Sequence, residues 1–229
     1  PIYFVGRVSK INVFASKISR RFLGRQIQRF KDTDFVDKGI PVDRQIAMIR
    51  DGSSISGHFT DFSWIRIAQT FGFELKVHEN LISDSTKEFA LQISNQDIAI
   101  HLRYGDYLSN PSLFPIVNDN YVNKAKILLK NYKNIHTYSD DIPSAKKYCP
   151  ETLKTSNRIL GPNELSALET FWLLSKYQKL ITSNSTFSSL AAYFSVANNY
   201  QVVTPVPYLK QGWTDTLPST WNRIDIIDS

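Results

Sequence analysis

Three short clusters hold the residues best suited to chemistry. The first is His101-Leu102-Arg103-Tyr104-Gly105-Asp106-Tyr107. Arg103 carries a planar fork of donors that fits a phosphate two bonds at a time. Gly105 permits a tight turn beside it, and Asp106 can orient the arginine or accept from a ligand hydroxyl. The second cluster is Tyr138-Ser139-Asp140-Asp141. Adjacent carboxylates often bind a metal or trade a proton. Here there are only two, without Asp-x-Asp spacing or a nearby histidine, so no metal is expected. The third is Ser183-Asn184-Ser185-Thr186-Phe187-Ser188. Where such a run opens a helix, free N–H groups and the positive dipole end attract a phosphate. Each cluster also has a purely structural reading. These are an exposed Arg–Asp pair at a glycine turn, helix N-capping by Asp140 or Asp141, and N-capping by Ser185 or Thr186.

The elements around the clusters must bring them together. Ile98-Ala99-Ile100, after the polar Asn95-Gln96-Asp97, reads as a buried strand that ends at the first cluster. A loop with Pro111 and Pro115 follows, long enough to cover a ligand. Asn118 or Asp119 caps a helix with Tyr121, Ala125, Leu128 and Leu129 on one face. The spacing predicts strands over 134–139, 158–160, 179–182 and 201–204, the last closed by Pro205 and Pro207. It predicts helices over 142–148, from a cap at Asn163 through Trp172, and over 187–194. This alternation reads as a parallel sheet of βαβ units. Since all three clusters end strands, all three should line one rim of that sheet, where ligands of open α/β sheets bind.

The first cluster resembles the His-x-Arg-Arg-Gly-Asp-Tyr motif of the α-1,2-fucosyltransferases, glycosyltransferase family 11. The second is similar to their Phe/Tyr-Ser-Asp-Asp strand end and the third to their Asn-Ser-Thr-Phe-Ser, in the same order. Ile55-Ser56-Gly57-His58-Phe59 resembles their Gly-Tyr-Phe-Gln segment. The resemblance covers about residues 52 to 210. It implies an α/β, GT-B-like fold with a Rossmann-type C-terminal domain and a short or incomplete N-terminal acceptor domain, divided as 1–94 and 95–229. It implies an inverting, metal-independent transfer of fucose from GDP-fucose to a glycan hydroxyl in surface-polysaccharide synthesis. No cofactor is implied beyond the donor. Arg103 then carries the diphosphate charge, with Asp106 and His101 as candidates for the base. Tyr104, Gly105, Ser139, Asp140, Asp141, Asn184, Ser185, Thr186 and Ser188 contact substrate, one aspartate of the second cluster lying near the guanine. The chain departs from the family in three places. Tyr104 replaces a second arginine, Ser189-Leu190-Ala191-Ala192-Tyr193 replaces a tryptophan-rich run, and the opening Gly-Gly-Leu-Gly-Asn-Gln-Met motif has only Leu23-Gly24-Arg25-Gln26 as an echo. Two other readings stay open, namely a transferase using another nucleotide sugar and a module that binds such a ligand without turnover.

Composition limits the alternatives. With 229 residues, 42% hydrophobic and 21% charged, the chain is globular and able to bury a core. Its single cysteine, Cys149, rules out an internal disulfide framework and suits a reducing compartment. No apolar run reaches the length of a membrane span. No leader is visible, although the sequence opens on Pro1 and an N-terminal segment is open to having been removed. A cytoplasmic location follows as the expectation. Residues 1–31 hold eight basic residues and no acid against a whole-chain charge of +6, so the rest carries −2. A basic folded face for nucleic acid is therefore not expected. Ile2 to Val5 reads as a strand. From Ser9, Ile11, Phe14, Ala15, Ile18 and Phe22 recur at helical spacing among the basic residues. Such a helix over 9–31 either packs on the domain or touches an anionic membrane surface peripherally.

Overall fold

The computed structural model describes residues 77–195, 201–210 and 217–227, together with two short strands nearer the N-terminus. The chain divides into two compact units, 1–67 and 68–229. In the first, β1 (Arg29–Lys31) and β2 (Ser54–Ser56) form a parallel pair. Arg29–Lys31, the end of the stretch expected to be helical, are a strand instead. The strand expected at Ile2, the remainder of that helix and His58 lie outside the described residues. In the second unit the compact body starts before the boundary read at 94/95. Residues 84–92 are helical there, and hydrogen bonds tie their N-terminus to Glu169.

The second unit is built on a six-stranded sheet. Its strands are β3 (Asp97–Leu102), β4 (Asn134–Ser139), β5 (Arg158–Leu160), β6 (Lys179–Ile181), β7 (Gln201–Val206) and β8 (Asn222–Asp225). All neighbours pair in parallel, in the order β5-β4-β3-β6-β7-β8. Counted from β3, this is 3-2-1-4-5-6, the doubly wound Rossmann order. The order reverses between β3 and β6, the place where ligands of open α/β sheets bind, outside the carboxyl ends of the strands. The architecture is thus the α/β parallel sheet that the alternating pattern called for.

Burial follows from this position. Every residue of β3 is buried, as expected for a central strand covered on both faces. Ile98, Ile100 and Leu102 share one face and pack with Val117, Tyr121, Val122, Ala125, Ala145 and Leu153. The helices 119–128, 142–148 and 150–155 supply that layer. Ala99 and His101 point the other way, where His101 lies against Phe187 and His136 against Phe89. Helices 84–92, 167–174 and 186–193 cover this second face. The edge strands β5 and β8 are short and carry Arg158, Arg223 and Asp225, which discourages pairing with another sheet. Among the described residues, no helix is long and apolar enough to cross a membrane.

Several elements differ from the sequence expectation. The helix expected from Asn163 starts at Ala167. Residues 162–164 form a turn instead, in which the Glu164 carboxylate accepts from Gly161 N–H at 2.9 Å. Ser166 and Glu169 make the capping box that fixes the true start. Strand β7 runs through Pro205 to Val206. β6 pairs with β7 only as far as Val203, so Pro205 breaks no ladder on that side. The helix Pro150–Thr155 and strand β8 were not anticipated.

Candidate functional site

All three clusters stand at carboxyl ends of the central strands. Arg103 follows β3 directly, Asp140 follows β4, and Ser183 to Thr186 join β6 to the helix Thr186–Tyr193. Arg103 is half-buried and uses both arms of its fork. One terminal nitrogen, Nη1, meets Asp140 Oδ2 at 2.8 Å, and the other, Nη2, meets Asp106 Oδ1 at 2.6 Å. The two carboxylates differ in setting. Asp106 is 62% exposed and Asp140 only 21%. Asp140 also accepts the Tyr104 backbone N–H through Oδ1 at 2.8 Å. One aspartate at the end of β4 thus fixes both the turn after β3 and the cation that leaves it.

Gly105 is required by this arrangement. A Cβ built there would stand 2.6 Å from Asp140 Oδ2, and that oxygen is held by the arginine. Gly105 opens the four-residue helix Gly105–Leu108, which places Asp106 within reach of Arg103.

Tyr104 is turned inward. Its ring is fully buried and stacks on Tyr148, and its hydroxyl donates to Val117 O at 3.2 Å and lies 3.1 Å from Cys149 Sγ. Burial pushes its phenol far above the usual range and raises the Cys149 thiol to about 12. The residue at the family's second arginine position is therefore part of the core, and only its backbone reaches the site. A period-2 signal could have shown this, since Ile98, Ile100, Leu102 and Tyr104 fall on one face of an extended chain.

His101 also faces inward, toward the opposite layer. It is buried, and its Nδ1 lies 3.0 Å from Ser183 Oγ. This bond joins β3 to the end of β6 across the reversal point. Burial, reinforced by the Arg103 charge, lowers its pKa to about 3. The imidazole is neutral at any ordinary pH and is a weak base.

The second aspartate is a cap. Asp141 Oδ1 accepts Ser144 N–H at 3.1 Å and its Oδ2 accepts the Ser144 hydroxyl at 2.6 Å, closing the first turn of helix 142–148. Ser139, buried, accepts the Asp141 N–H and donates to Asp141 O, both at 3.1 Å. The adjacent pair Asp140-Asp141 is therefore split, one carboxylate toward Arg103 and one into a helix end. Among the described residues no group of three or more His, Cys, Asp and Glu side chains is placed to hold a metal.

The third cluster is mostly internal. Ser185 N-caps its helix by accepting Phe187 N–H at 3.3 Å, and the buried Ser188 hydroxyl donates to Ser185 O at 3.3 Å. Thr186 is exposed at the first helical position. Asn184 is 2% exposed and donates through Nδ2 to Pro115 O at 3.0 Å and Tyr208 O at 3.1 Å. It ties the loop after the first cluster to the chain after β7. Its Oδ1 is buried without a hydrogen-bond partner among the described residues.

Tyr107 links the first cluster to the third, a connection the sequence reading missed. Its hydroxyl donates to Asn184 O at 2.8 Å, its ring stacks on Phe114 at 3.9 Å, and the Arg103 guanidinium lies 5.8 Å from the ring centroid. Burial raises its phenol pKa, against the opposing pull of Arg103. Arg103 and the N-terminus of helix 186–193 are thus separated by one tyrosine. A cation and a helix dipole end share one rim, with an exposed carboxylate beside them. That combination can hold a phosphate-bearing ligand and take up a proton next to it.

Comparison with known proteins places these features in a context. Residues 54–224 match the model of Glycosyl transferase family 11. An Escherichia coli protein named alpha-1,2-colitosyltransferase is 26% identical over 137 residues, which are 56% of this chain and 47% of that protein. The chain thus spans about half the length of that relative. Among solved structures, a glycosyl transferase of family 9 from Veillonella parvula aligns over 97% of this chain and 70% of its own, with a TM-score of 0.47 and 9% identity. The β-Kdo 2,7 transferase KpsC of Thermosulfurimonas dismutans aligns over 96% and 79%, with a TM-score of 0.33 and 12% identity.

Proposed function

The chain belongs to glycosyl transferase family 11, and on that footing we propose that it moves fucose from GDP-fucose to a glycan hydroxyl, with inversion and without a metal ion. The observation that carries the proposal is the Arg103 fork at the reversal of the strand order, one tyrosine away from the N-terminus of helix 186–193. In the transfer, the bond from the sugar C1 to the diphosphate oxygen breaks and GDP leaves with the electron pair. The acceptor oxygen bonds to C1 from the opposite face and gives up its proton. Negative charge grows on the departing β-phosphate. Arg103, held in place by Asp140, and the helix end are charges of the right sign to stabilise it once the diphosphate replaces Asp106 on one arginine arm.

Asp106 is assigned the proton. It is the exposed partner of Arg103, and diphosphate binding can take over the arginine arm that Asp106 now occupies. His101 is a poorer base, being buried with its pKa lowered to about 3. We assign it, with Ser183, to positioning β3 against β6. Asp140 positions Arg103. The GT-B-like plan gives the acceptor side to the N-terminal residues. The eight basic residues of 1–31 support a peripheral contact with an anionic inner-membrane surface, in the cytoplasm, during surface-polysaccharide assembly.

A second reading rests on the E. coli relative, whose name gives colitose as its sugar and α-1,2 as its linkage. Calorimetry with GDP, UDP and dTDP, followed by hydrolysis and transfer assays in EDTA with the fucose and the colitose donor side by side, tests both. The proposal expects GDP to bind at least tenfold tighter than the other two, with turnover of GDP-fucose in EDTA. Preference for UDP or dTDP points to another donor. Binding of GDP-fucose without turnover leaves a binding module. A rate lost in EDTA and restored by Mn²⁺ or Mg²⁺ rejects the metal-free mechanism.

A further inference from the structure

The amino ends of the strands hold a cleft away from the three clusters. It encloses about 290 Å³ and is lined by Asn95, Gln96, Asn131, Gln178, Lys179 and Gln201. These residues lie before or at the start of β3, β6 and β7, with Asn131 in the turn leading to β4. The three clusters described above stand at the other ends of the same strands. β3 alone is six residues long, so the two sites are roughly 20 Å apart at about 3.3 Å per residue.

The lining is unusual in its chemistry. Five of the six residues carry a carboxamide, and none of those five side chains makes a hydrogen bond among the described residues. Their backbones, in contrast, are engaged where strands begin. Gln96 O accepts from Lys133 N–H at 2.7 Å and Gln178 O from Gln201 N–H at 2.6 Å. The cleft wall is therefore fixed while its side chains are free. Lys179 stiffens it further, donating from Nζ to Lys130 O at 3.0 Å and Asn131 O at 2.6 Å. Asn131 adopts a positive φ of 59°, a conformation that Asn tolerates better than most residues.

Each carboxamide presents one carbonyl acceptor and two N–H donors. Vicinal hydroxyls of a sugar are donors and acceptors at once, and a ring of five amides meets them in both senses. An anion offers only acceptors, so it would use the N–H side of each amide and leave the five carbonyl oxygens without a partner in the ligand. The one lysine already gives two of its three protons to backbone carbonyls. Among the described residues, no carboxylate lines the cleft to hold a divalent cation, and no aromatic ring lines it to stack a base. We propose that this cleft binds a neutral saccharide unit, as a second glycan site remote from the transfer rim. Its affinity as a lone polar site is low, because ordering and desolvation consume much of what the hydrogen bonds provide. Its use lies in a long glycan that engages both ends of the domain, where the second contact forms at high effective concentration. The proposal is independent of which nucleotide sugar the transfer site takes.

The side-chain amides report on themselves. In ¹⁵N-correlation spectra of the full chain, titration with neutral tetrasaccharides built from glucose, galactose, mannose or N-acetylglucosamine is expected to move the NH₂ signals of Gln178 and Gln201 saturably for at least one of them. Saturating GDP should not reverse the shift. In the double variant Gln178→Ala/Gln201→Ala the backbone signals of Gln96 and Asn131 should follow the same titration with affinity at least about tenfold weaker, as the loss of several hydrogen bonds requires. Neither side chain makes a hydrogen bond among the described residues, so the variant should keep the wild-type dispersion elsewhere. Four results would overturn the proposal. They are no saturable shift with any of the four sugars, a shift that survives the double variant, displacement by GDP, and tighter binding of inorganic sulfate than of any saccharide at the same signals.

Discussion

At the residue scale, the site is a set of shared partners. Arg103 is held by two carboxylates, and its environment tells them apart: Asp140 is the sheltered one and Asp106 the exposed one. Lysine at position 103 would keep the charge but lose the fork, so it could not hold Asp140 and a phosphate together. Losing such a contact in the transition state costs roughly 2–4 kcal/mol, by analogy with oxyanion-hole donors. At 1.36 kcal/mol per tenfold in rate, the expected fall in kcat for Arg103→Lys is about 30- to 1,000-fold, with GDP affinity falling less. Steady-state kinetics with circular dichroism to confirm folding is the measurement, and a kcat within about threefold of wild type would remove Arg103 from the reaction. If Asp106 takes the acceptor proton, Asp106→Asn should lower kcat by at least about 100-fold and abolish the acidic limb of the kcat–pH profile. The same profile for His101→Gln should keep that limb, because an imidazole whose pKa is lowered to about 3 supplies no protonation step above it. A limb that disappears only in the histidine variant reverses the assignment.

At the element scale, one carboxylate organises two helices. Glu169 Oε2 accepts from Ser166 N–H and hydroxyl at 3.0 and 2.7 Å, completing the capping box of helix 167–174. Its Oε1 accepts from Ser83 N–H and hydroxyl at 3.2 and 2.6 Å and from the Thr86 hydroxyl at 3.0 Å, at the start of helix 84–92. These bonds, the Ser83 hydroxyl foremost, lower its pKa from 4.5 to about 2. A lowered carboxyl pKa adds stability that is complete above pH 4.5 and is lost as pH falls toward 2. Urea midpoints should therefore separate wild type from Glu169→Gln at pH 6, and the gap should close between pH 4.5 and 2. A gap independent of pH would show that the ionised carboxylate is not what joins the helices. This element also shows what the sequence made legible. The strand over 134–139 and the helix over 142–148 were readable because an apolar run or a cap stood at each end. The Ser166-to-Glu169 box and Pro150 at a first helical turn carried equally local signals that could have been read. Strand β8 carried none, being four residues with Asn, Arg and Asp at an edge. The Asp140–Arg103 and Tyr107–Asn184 contacts join positions 37 and 77 residues apart. They follow only from strand order, and strand order is set by the whole sheet.

At the scale of the molecule, the charge map and the sheet have separate roles. The positive excess lies in 1–31, with eight basic residues and no acid, while the rest of the chain carries −2. The expected consequence is binding to liposomes rich in anionic lipid, lost on raising salt as the Debye length shrinks. Flotation assays decide it, since equal binding to neutral liposomes, or binding to neither, removes the membrane contact. The Rossmann order brings the three clusters to one rim without requiring that they be near in sequence. It also makes the rim sensitive to pairs of positions. Gly105 has no room for a Cβ because Asp140 Oδ2 would be 2.6 Å from it, and Asp140 cannot give way without releasing Arg103. For genetics this means that Gly105→Ala and a change at Asp140 are not independent events. A selection for revertants of Gly105→Ala should therefore return glycine at 105 and not a smaller residue at 140, because a shortened side chain there clears the Cβ but frees Arg103 and the Tyr104 N–H.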